Sequence, residues 1–296
     1  GGTIKRTVNG GFVVALSGPQ LDLTPYLKDT GEDEGKSATQ SVRATGKFNK
    51  LWVGPGTSVA NVDVVVKHDG RSWRQVSLKG NVVKGRPFSA SYVDDGKSGH
   101  LEVRAIDAGS VMKKLGLLED ISGGNLIVSA VRHGSKPGSP WRGKLGISDF
   151  VLAKAPFMAR LLTLASLTGI SNMVEGKGVA FSRLDMPFTY ASQRLNITDA
   201  RAVGSELGIT GEGLIDIGAK KVDLDGTVVP AYTINSILGN IPVLGAVFTG
   251  SKGSGIFAAT YTIKGDFEKP LIEVNPLAAL APGFLRNLIK GAGKAG

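Results

Sequence analysis

The chain contains no cysteine. This absence excludes disulfide bonds, thiolate nucleophiles, and zinc or iron–sulfur sites built on cysteine ligands. It does not select a cellular compartment, because a chain of 296 residues can bury enough apolar surface to be stable without disulfides.

Long apolar runs are also missing. No stretch reaches the roughly 20 residues that a membrane-spanning helix requires. The two longest candidates, residues 155–170 and 234–248, are interrupted by Arg160 and Pro242. We therefore expect no transmembrane helix in this chain, although a longer parent protein could carry one.

Aromatic residues make up only 6% of the chain, which has a formal net charge of +10. The positive charge favours anionic partners such as acidic lipid headgroups, glycans or nucleic acid. However, lysine and arginine are scattered, with no run longer than two, and the aromatics fall mostly inside apolar segments. A nucleic-acid site typically clusters both types of residue, so we do not expect nucleic acid as a partner.

No catalytic or metal-binding pattern stands out. His68, His100 and His133 each occur in a turn-like context without a second ligand at metal-binding spacing. Asp223 and Asp225 are two residues apart, which places them on one face of a strand. The polar face of a sheet produces that pattern more often than a pair of catalytic carboxylates does. We expect a protein without enzymatic activity, metal or cofactor.

The sequence is rich in glycine. Its 42 glycines often separate short runs in which every second residue is apolar. Val62, Val64 and Val66 form one such run, and Leu184 to Tyr190 contain another. Period-two alternation broken by glycine-containing turns is typical of antiparallel strands with one apolar face. We predict a mainly β fold with a few short amphipathic helices, in which a long antiparallel sheet carries an apolar face.

Four segments break this alternation and are predicted to be helical: 108–118, 156–174, 233–248 and 276–291. The first follows Asp107, a suitable N-cap. The stretch at 134–140, rich in glycine, serine and proline, is interpreted as a hairpin loop rather than a domain linker.

The apolar face of the second half of the chain is predicted from alternation alone. Its expected lining comprises Leu184, Met186, Phe188, Leu195, Ile197, Leu207, Ile209, Ile215, Ile217, Leu224 and Val228. A sealed sandwich core and an open groove produce the same alternation, so both interpretations remain open at this point. A slip of one residue in register would turn a whole strand to the other face.

Specific sequence segments resemble a known family. They include GTVVPAY at 226–232, GNIPVLG at 239–245 and NPLAALAPGFLR at 275–286, with further similarity at 106–128, 155–170 and 176–190. This part of the chain is similar to the AsmA-like C-terminal region of YhdP-type proteins of Gram-negative bacteria, in the AsmA/TamB-like superfamily of bridge lipid-transfer proteins. Residues 1–100 are only generically similar.

The resemblance implies a rolled sheet that forms a long, curved, taco-like open groove. Residues 1–105 would be an N-terminal β segment of that groove and residues 106–296 the AsmA-like C-terminal segment, within one continuous sheet. The groove would hold the acyl chains of a phospholipid on their way to the outer membrane, with no cofactor other than bound phospholipid. The protein would be periplasmic, with its parent anchored in the inner membrane by a segment absent here.

The implied partners are phospholipid, the inner leaflet of the outer membrane or a protein associated with it, and the rest of the same chain upstream. Two apolar helical segments are the expected contacts with a membrane or partner, through Ile237, Leu238, Val243, Leu244, Phe248, Leu280, Phe284, Leu285 and Leu288. A structural or docking module that binds the outer membrane or a partner without carrying lipid is the alternative function.

Overall fold

The computed structural model describes residues 1–27, 40–54, 56–83, 85–115, 120–134, 138–152, 178–205, 207–230, 259–267 and 269–275. Its elements are β1 (Gly2–Arg6), β2 (Phe12–Asp22), α1 (Thr24–Leu27), β3 (Val42–Gly54), β4 (Thr57–His68), β5 (Trp73–Val83), β6 (Arg86–Asp94), β7 (Ser98–Ala105), α2 (Ala108–Lys114), β8 (Ile121–His133), β9 (Trp141–Leu152), β10 (Val179–Ala191), β11 (Arg194–Gly204), β12 (Leu207–Asp216), β13 (Lys221–Pro230), β14 (Ala259–Asp266) and β15 (Leu271–Asn275).

The chain is mainly β, and in each of its two compact units neighbouring strands are hydrogen-bonded in chain order. The prediction of a mainly β fold built on long antiparallel pairing is therefore confirmed. Short turns connect most neighbouring strands, as sequential antiparallel pairing requires.

One pairing departs from the prediction. Among the pairs with a defined register, β2 and β3 alone run parallel, with Phe12 opposite Val42 and Leu21 opposite Leu51. A parallel pair needs a connection of a dozen or more residues, and residues 23–41 provide one. Nothing in the alternation of β2 distinguishes a parallel neighbour from an antiparallel one.

The chain divides into two compact units, Gly1–Phe150 and Val151–Gly296. In the first unit the fully buried core lies around Leu51, Val59 and Val62, with Phe88 and Leu78 packed against it. In the second, Val228 and Tyr261 form the buried centre of a smaller cluster.

Single left-handed residues reset the alternation inside two strands of the first unit. Asn61 has a φ of 50°, and Val59 and Val62 on either side of it are both buried although they are three residues apart. Asp149, with a φ of 55°, stands in the same way between the buried Ile147 and Phe150. Asparagine and aspartate tolerate this region better than other side chains. These bulges let the strands keep one apolar face.

The predicted helix at 108–118 is present as α2, Ala108–Lys114. The Asp107 side chain caps it, accepting a hydrogen bond from the backbone N–H of Ser110 at 2.9 Å. Val111 and Met112 are buried against the first unit. The other three predicted helices, at 156–174, 233–248 and 276–291, lie outside the described residues. The predicted loop at 134–140 separates β8 from β9.

Candidate functional site

The apolar face of the second unit follows from the strand registers. Residues directly opposite each other in a sheet point to the same face, and Phe188, Ile197 and Leu224 are linked in this way through Gly213. The registers place nine of the eleven predicted residues on this face: Leu184, Phe188, Leu195, Ile197, Leu207, Ile209, Ile215, Leu224 and Val228.

The remaining two predicted residues are placed differently. Met186 lies where β10 bulges between Asp185 and Phe188, and no paired position is defined for it. Ile217 follows the last residue of β12, and its side chain is 45% exposed. Its backbone N–H donates to the carbonyl of Gln193 at 2.8 Å, which fixes it in the turn. The alternation therefore stops one residue before Ile217.

The face is not uniform in exposure. Leu207 and Val228 are completely buried and Ile197 is 5% exposed. The other predicted members that lie in strands are half-buried, namely Leu184, Met186, Phe188, Leu195, Ile209, Ile215 and Leu224. Half-buried side chains retain apolar surface that a ligand can contact, whereas the three buried ones behave as core.

Several members of this face were not among the predicted lining residues. The registers add Tyr190, Val222, Ile263, Ile272 and Val274. Val222, Ile263 and Val274 have polar residues on both sides in the sequence, so the same period-two signal marks them. It is weaker in β14 and β15, because these strands are short.

The Tyr261 ring packs over a glycine on this face. Gly211 and Gly226 are paired on neighbouring strands, and a Cβ on Gly226 would lie 2.4 Å from the Tyr261 ring. The Tyr261 hydroxyl donates to the carbonyl of Thr210 at 2.7 Å. Burial of the phenol raises the pKa of Tyr261 above its usual range. Glycine is required at 226 because any side chain there would displace the ring.

The opposite face of the second unit is polar and rich in ion pairs. Lys264 lies 3.3 Å from Asp223, and Arg194 lies 3.0 Å from Asp216. Backbone N–H donation from Ala219, followed by the Arg194 hydrogen bond, holds the pKa of Asp216 below its usual value. Asp223 and Asp225 share this face, as their spacing predicts.

The first unit also has an apolar face. One row of paired residues runs Leu16, Gly46, Val64, Leu78, Ala90, Val103 and Val128, and its neighbour runs Val14, Ala44, Val66, Val76, Tyr92, Leu101 and Ala130. Most of these side chains are half-buried. Alternating runs in this part of the chain predict such a face, although none of its residues was assigned to the lining.

A polar cluster interrupts that face at the strand ends. The buried Asp94 carboxylate lies 3.1 Å from Arg74 and 3.4 Å from Arg132, and it accepts from the Tyr92 hydroxyl at 3.0 Å. The Arg132 guanidinium lies over the ring of Trp141, 5.1 Å from its centroid. Hydrogen bonding to Asp94, first from the Gly96 N–H, holds the pKa of its carboxyl below the usual value.

The opposite end of this face is closed by α2. The ammonium group of Lys114 donates to the carbonyls of Val82 at 2.6 Å and Ser58 at 3.2 Å. The Thr57 hydroxyl donates to the Lys114 carbonyl at 2.7 Å. These bonds attach the end of α2 to β4 and β5.

The predicted membrane or partner contacts lie outside the described residues: Ile237, Leu238, Val243, Leu244, Phe248, Leu280, Phe284, Leu285 and Leu288. Within the described part of the chain, no group of three or more histidine, aspartate or glutamate side chains is arranged to hold a metal ion. No helix in that part is long and apolar enough to cross a membrane. His100 lies inside β7 rather than in a turn.

Comparison with known proteins yields no match: no protein-family model, no curated protein and no solved structure is significantly similar to the chain.

Proposed function

We propose that the chain is a periplasmic segment of a protein that transfers phospholipid between membranes, with the acyl chains held against its apolar sheet faces. The observation that carries this proposal is the band of half-buried apolar side chains on one face of the second unit, backed by an opposite face of charged and polar residues. The resemblance to the AsmA-like region supports the same proposal from the sequence.

The energetics suit a loosely held ligand that can move along the face. Each methylene group removed from water contributes about 0.8 kcal/mol, so an acyl chain binds even when only part of it is covered. On the second unit, the described side chains of the apolar face include no charged residue that would fix the ligand at one point. Basic groups near the strand ends can each contribute roughly 1 kcal/mol toward an anionic headgroup.

The proposal extends to location and partners through the resemblance alone. The parent protein would be anchored in the inner membrane, and its partners would be phospholipid, the inner leaflet of the outer membrane or a protein associated with it, and the upstream part of the same chain. Bound phospholipid would take the place of a cofactor.

A specific observation favours the alternative, a scaffold or docking module that carries no lipid. Leu207 and Val228 are completely buried and Tyr261 is packed on the glycine pair, so this end of the face is already filled. If the half-buried residues are also covered by protein in solution, the face is a core.

The deciding experiment is native mass spectrometry of the purified protein, searching for phospholipid that co-purifies with it. We would compare Leu224→Asp with Ile217→Asp. Leu224 is half-buried on the apolar face, whereas Ile217 is exposed in the turn after β12, so the second variant adds the same charge away from the face. We expect Leu224→Asp to lose lipid and Ile217→Asp to retain it, with little change in melting temperature for either.

Two results would contradict the proposal. If no phospholipid co-purifies with the wild-type protein, the proposal that the chain carries lipid is wrong. Collapse of the fold in Leu224→Asp, with Ile217→Asp unaffected, would identify the face as a sealed core, because an unpaired charge in a core costs several kcal/mol.

A further inference from the structure

The polar face of the first unit is strongly basic. The registers align one row through Thr45, Val65, Ser77, Ser91, Glu102 and Ser129, and the next through Lys47, Asp63, Lys79, Ser89, Arg104 and Ile127. Trp141 contacts the opposite face, which places its neighbour Arg142, and Lys144, with these rows. The basic residues on this face include Lys5, Arg43, Lys47, Lys50, Lys67, Lys79, Arg104, Arg142 and Lys144, and the acidic ones include Asp22, Asp63 and Glu102.

Most of this positive charge is not neutralised by the protein. Lys47 lies 3.6 Å from Asp63, and Arg104 is paired with Glu102. Among the described residues, no acidic side chain forms an ion pair with Lys5, Arg43, Lys67, Lys79 or Arg142. A surface with this excess of unpaired cations attracts a ligand that carries several negative charges.

Two cavities lie on this face, so it offers concave sites for a ligand as well as positive charge. The first, of about 470 Å³, is lined by Lys79, Ser89, Arg104 and Asn125 and by apolar residues that include Pro87, Phe88, Ile106 and Ile127. The second, of about 530 Å³, is lined by Ser91, Glu102, Ser129, Arg142, Lys144 and His100 and by apolar residues that include Val93, Leu101 and Val131. Both volumes fall in the range typical of small-ligand sites, about 300–1,000 Å³.

The polar side chains that line the cavities indicate which class of ligand could bind there. Serine hydroxyls and an asparagine amide both donate and accept hydrogen bonds, as a ligand rich in hydroxyl groups requires. The registers also place Trp52, with Lys50 over its ring, and His100 on this face. Cations with hydroxyl and amide groups between them match a chain of acidic sugars.

We propose that the polar face of the first unit binds an anionic polysaccharide, a glycan that carries carboxylate, phosphate or sulfate groups. Lys79 and Arg104 in one cavity and Arg142 in the other contact its acidic groups, and the serine hydroxyls contact its sugar hydroxyls. This site lies on the opposite face of the sheet from the apolar residues and does not depend on lipid binding.

The test uses the full chain and dextran sulfate as the probe, with unsulfated dextran of the same chain length for comparison. Binding is measured by titration calorimetry at two salt concentrations. The variant is Lys79→Gln with Arg142→Gln. The matched control, Lys221→Gln with Lys264→Gln, removes the same charge from the polar face of the second unit. Melting temperature is recorded for both, because all four side chains are exposed and the fold should be unaffected.

We expect dextran sulfate to bind, unsulfated dextran not to bind, and affinity to fall as salt rises. The Lys79 and Arg142 double variant should weaken binding by about fivefold for each charge removed, a value typical of a basic side chain near an anionic surface, and the control should bind like the wild type. Equal losses in both double variants, no loss in either, or no binding at all would overturn the proposal. So would an oligothymidylate or a phosphatidylglycerol vesicle that binds more tightly than dextran sulfate.

Discussion

The two units share one design and differ in charge. In each, register places apolar side chains on one face of the sheet and polar ones on the other. On the polar face of the first unit the basic residues outnumber the acidic ones, as described above. On that of the second the acidic residues, which include Asp185, Asp199, Glu212, Asp216, Asp223, Asp225, Asp266 and Glu273, outnumber the basic ones, Arg183, Arg194, Arg201, Lys221 and Lys264.

This difference separates what the fold requires from what it leaves free. Apolar alternation is required, because a one-residue slip would expose the apolar side chains and bury the polar ones. The sign of charge on a solvated face is not constrained in this way, because single surface substitutions change stability little. A charge difference between two units of the same design therefore points to function rather than to folding.

The units also close their apolar faces by different means. In the first, α2 lies at one end and the charged cluster around Asp94 at the other. In the second, the Tyr261 ring lies on paired glycines. We expect the first unit to be the more sensitive to loss of a single charge and the second to loss of a single ring or hydroxyl.

The largest effect is expected where charge enters the sealed core of the first unit. Leu51 is completely buried among Val59 and Val62, so Leu51→Asp places an unpaired carboxylate in apolar surroundings. This costs several kcal/mol, comparable with the 5–15 kcal/mol stability of a whole domain. Circular dichroism melting should show loss of the first unit's transition. Retention of a normal melt would mean that water reaches Leu51 and that the buried cluster is open.

The next largest effect is expected at Asp94. Asp94→Asn removes the carboxylate shared by Arg74 and Arg132, and it leaves the half-buried Arg132 guanidinium, whose Nε already has no hydrogen-bond partner within the described structure, without this carboxylate. Because both arginines are partly exposed, we expect a loss of about 1–3 kcal/mol, the usual range for losing a hydrogen bond to a charged group. The control is Asp95→Asn, since Asp95 is exposed and caps only its own turn. Denaturant unfolding that gives equal stability for the two variants would refute a special role for Asp94.

The same cluster predicts a pH dependence. The pKa of Asp94 is lowered in the folded state, so its charge stabilises the fold at pH values above the unfolded pKa of about 3.9. That contribution is lost as pH falls through the lower, folded pKa. Stability of the wild type should therefore fall more steeply below about pH 4 than that of Asp94→Asn, when both are followed by denaturant unfolding. Parallel curves would show that other carboxylates control the acid transition.

The sequence predicts which side chains share a face of the sheet better than it predicts where a strand ends. Nine of the residues that alternation predicts to share a face do so in the registers, because period two is a local property of a strand. Alternation fails at Ile217, because β12 ends at Asp216 and the following turn follows no such period. Alternation also does not reveal a residue with a left-handed backbone conformation, such as Asn61, which shifts the alternating pattern by one residue.

Features that depend on which residues are paired between neighbouring strands could not be predicted from the sequence. Arg74, Asp94, Arg132 and Trp141 are far apart in the chain and meet only because β5 to β9 are neighbours in the sheet. The charge difference between the polar faces is hidden for the same reason. Scattered lysines and arginines become a basic surface only once it is known which of them share a face.

A smaller effect is expected from the hydroxyl of Tyr261. Tyr261→Phe keeps the ring on the glycine pair and removes the hydrogen bond to the Thr210 carbonyl. The loss should be about 1 kcal/mol, the usual contribution of such a bond. Tyr190→Phe is the matched control, because Tyr190 lies on the same face and its hydroxyl forms no hydrogen bond within the described residues. Equal stabilities in chemical denaturation would mean that the Tyr261 hydroxyl bonds to water instead.

The smallest effect is expected on the polar face of the second unit, where the ion pairs are exposed. Lys264 and Asp223 are 3.3 Å apart, with 54% and 60% of their side chains accessible. Water screens such a pair, and holding two long side chains together costs entropy, so exposed pairs contribute about 0–1 kcal/mol. Lys264→Ala should therefore change the free energy of unfolding by less than about 0.5 kcal/mol, and Lys79→Ala on the basic face by no more. The two substitutions should differ in ligand binding alone, since only the second removes an unpaired cation from the proposed glycan site. A loss of stability above about 1 kcal/mol for Lys264→Ala would show that the charge balance of the second unit serves its folding, and the comparison between the two faces would then reflect stability rather than function.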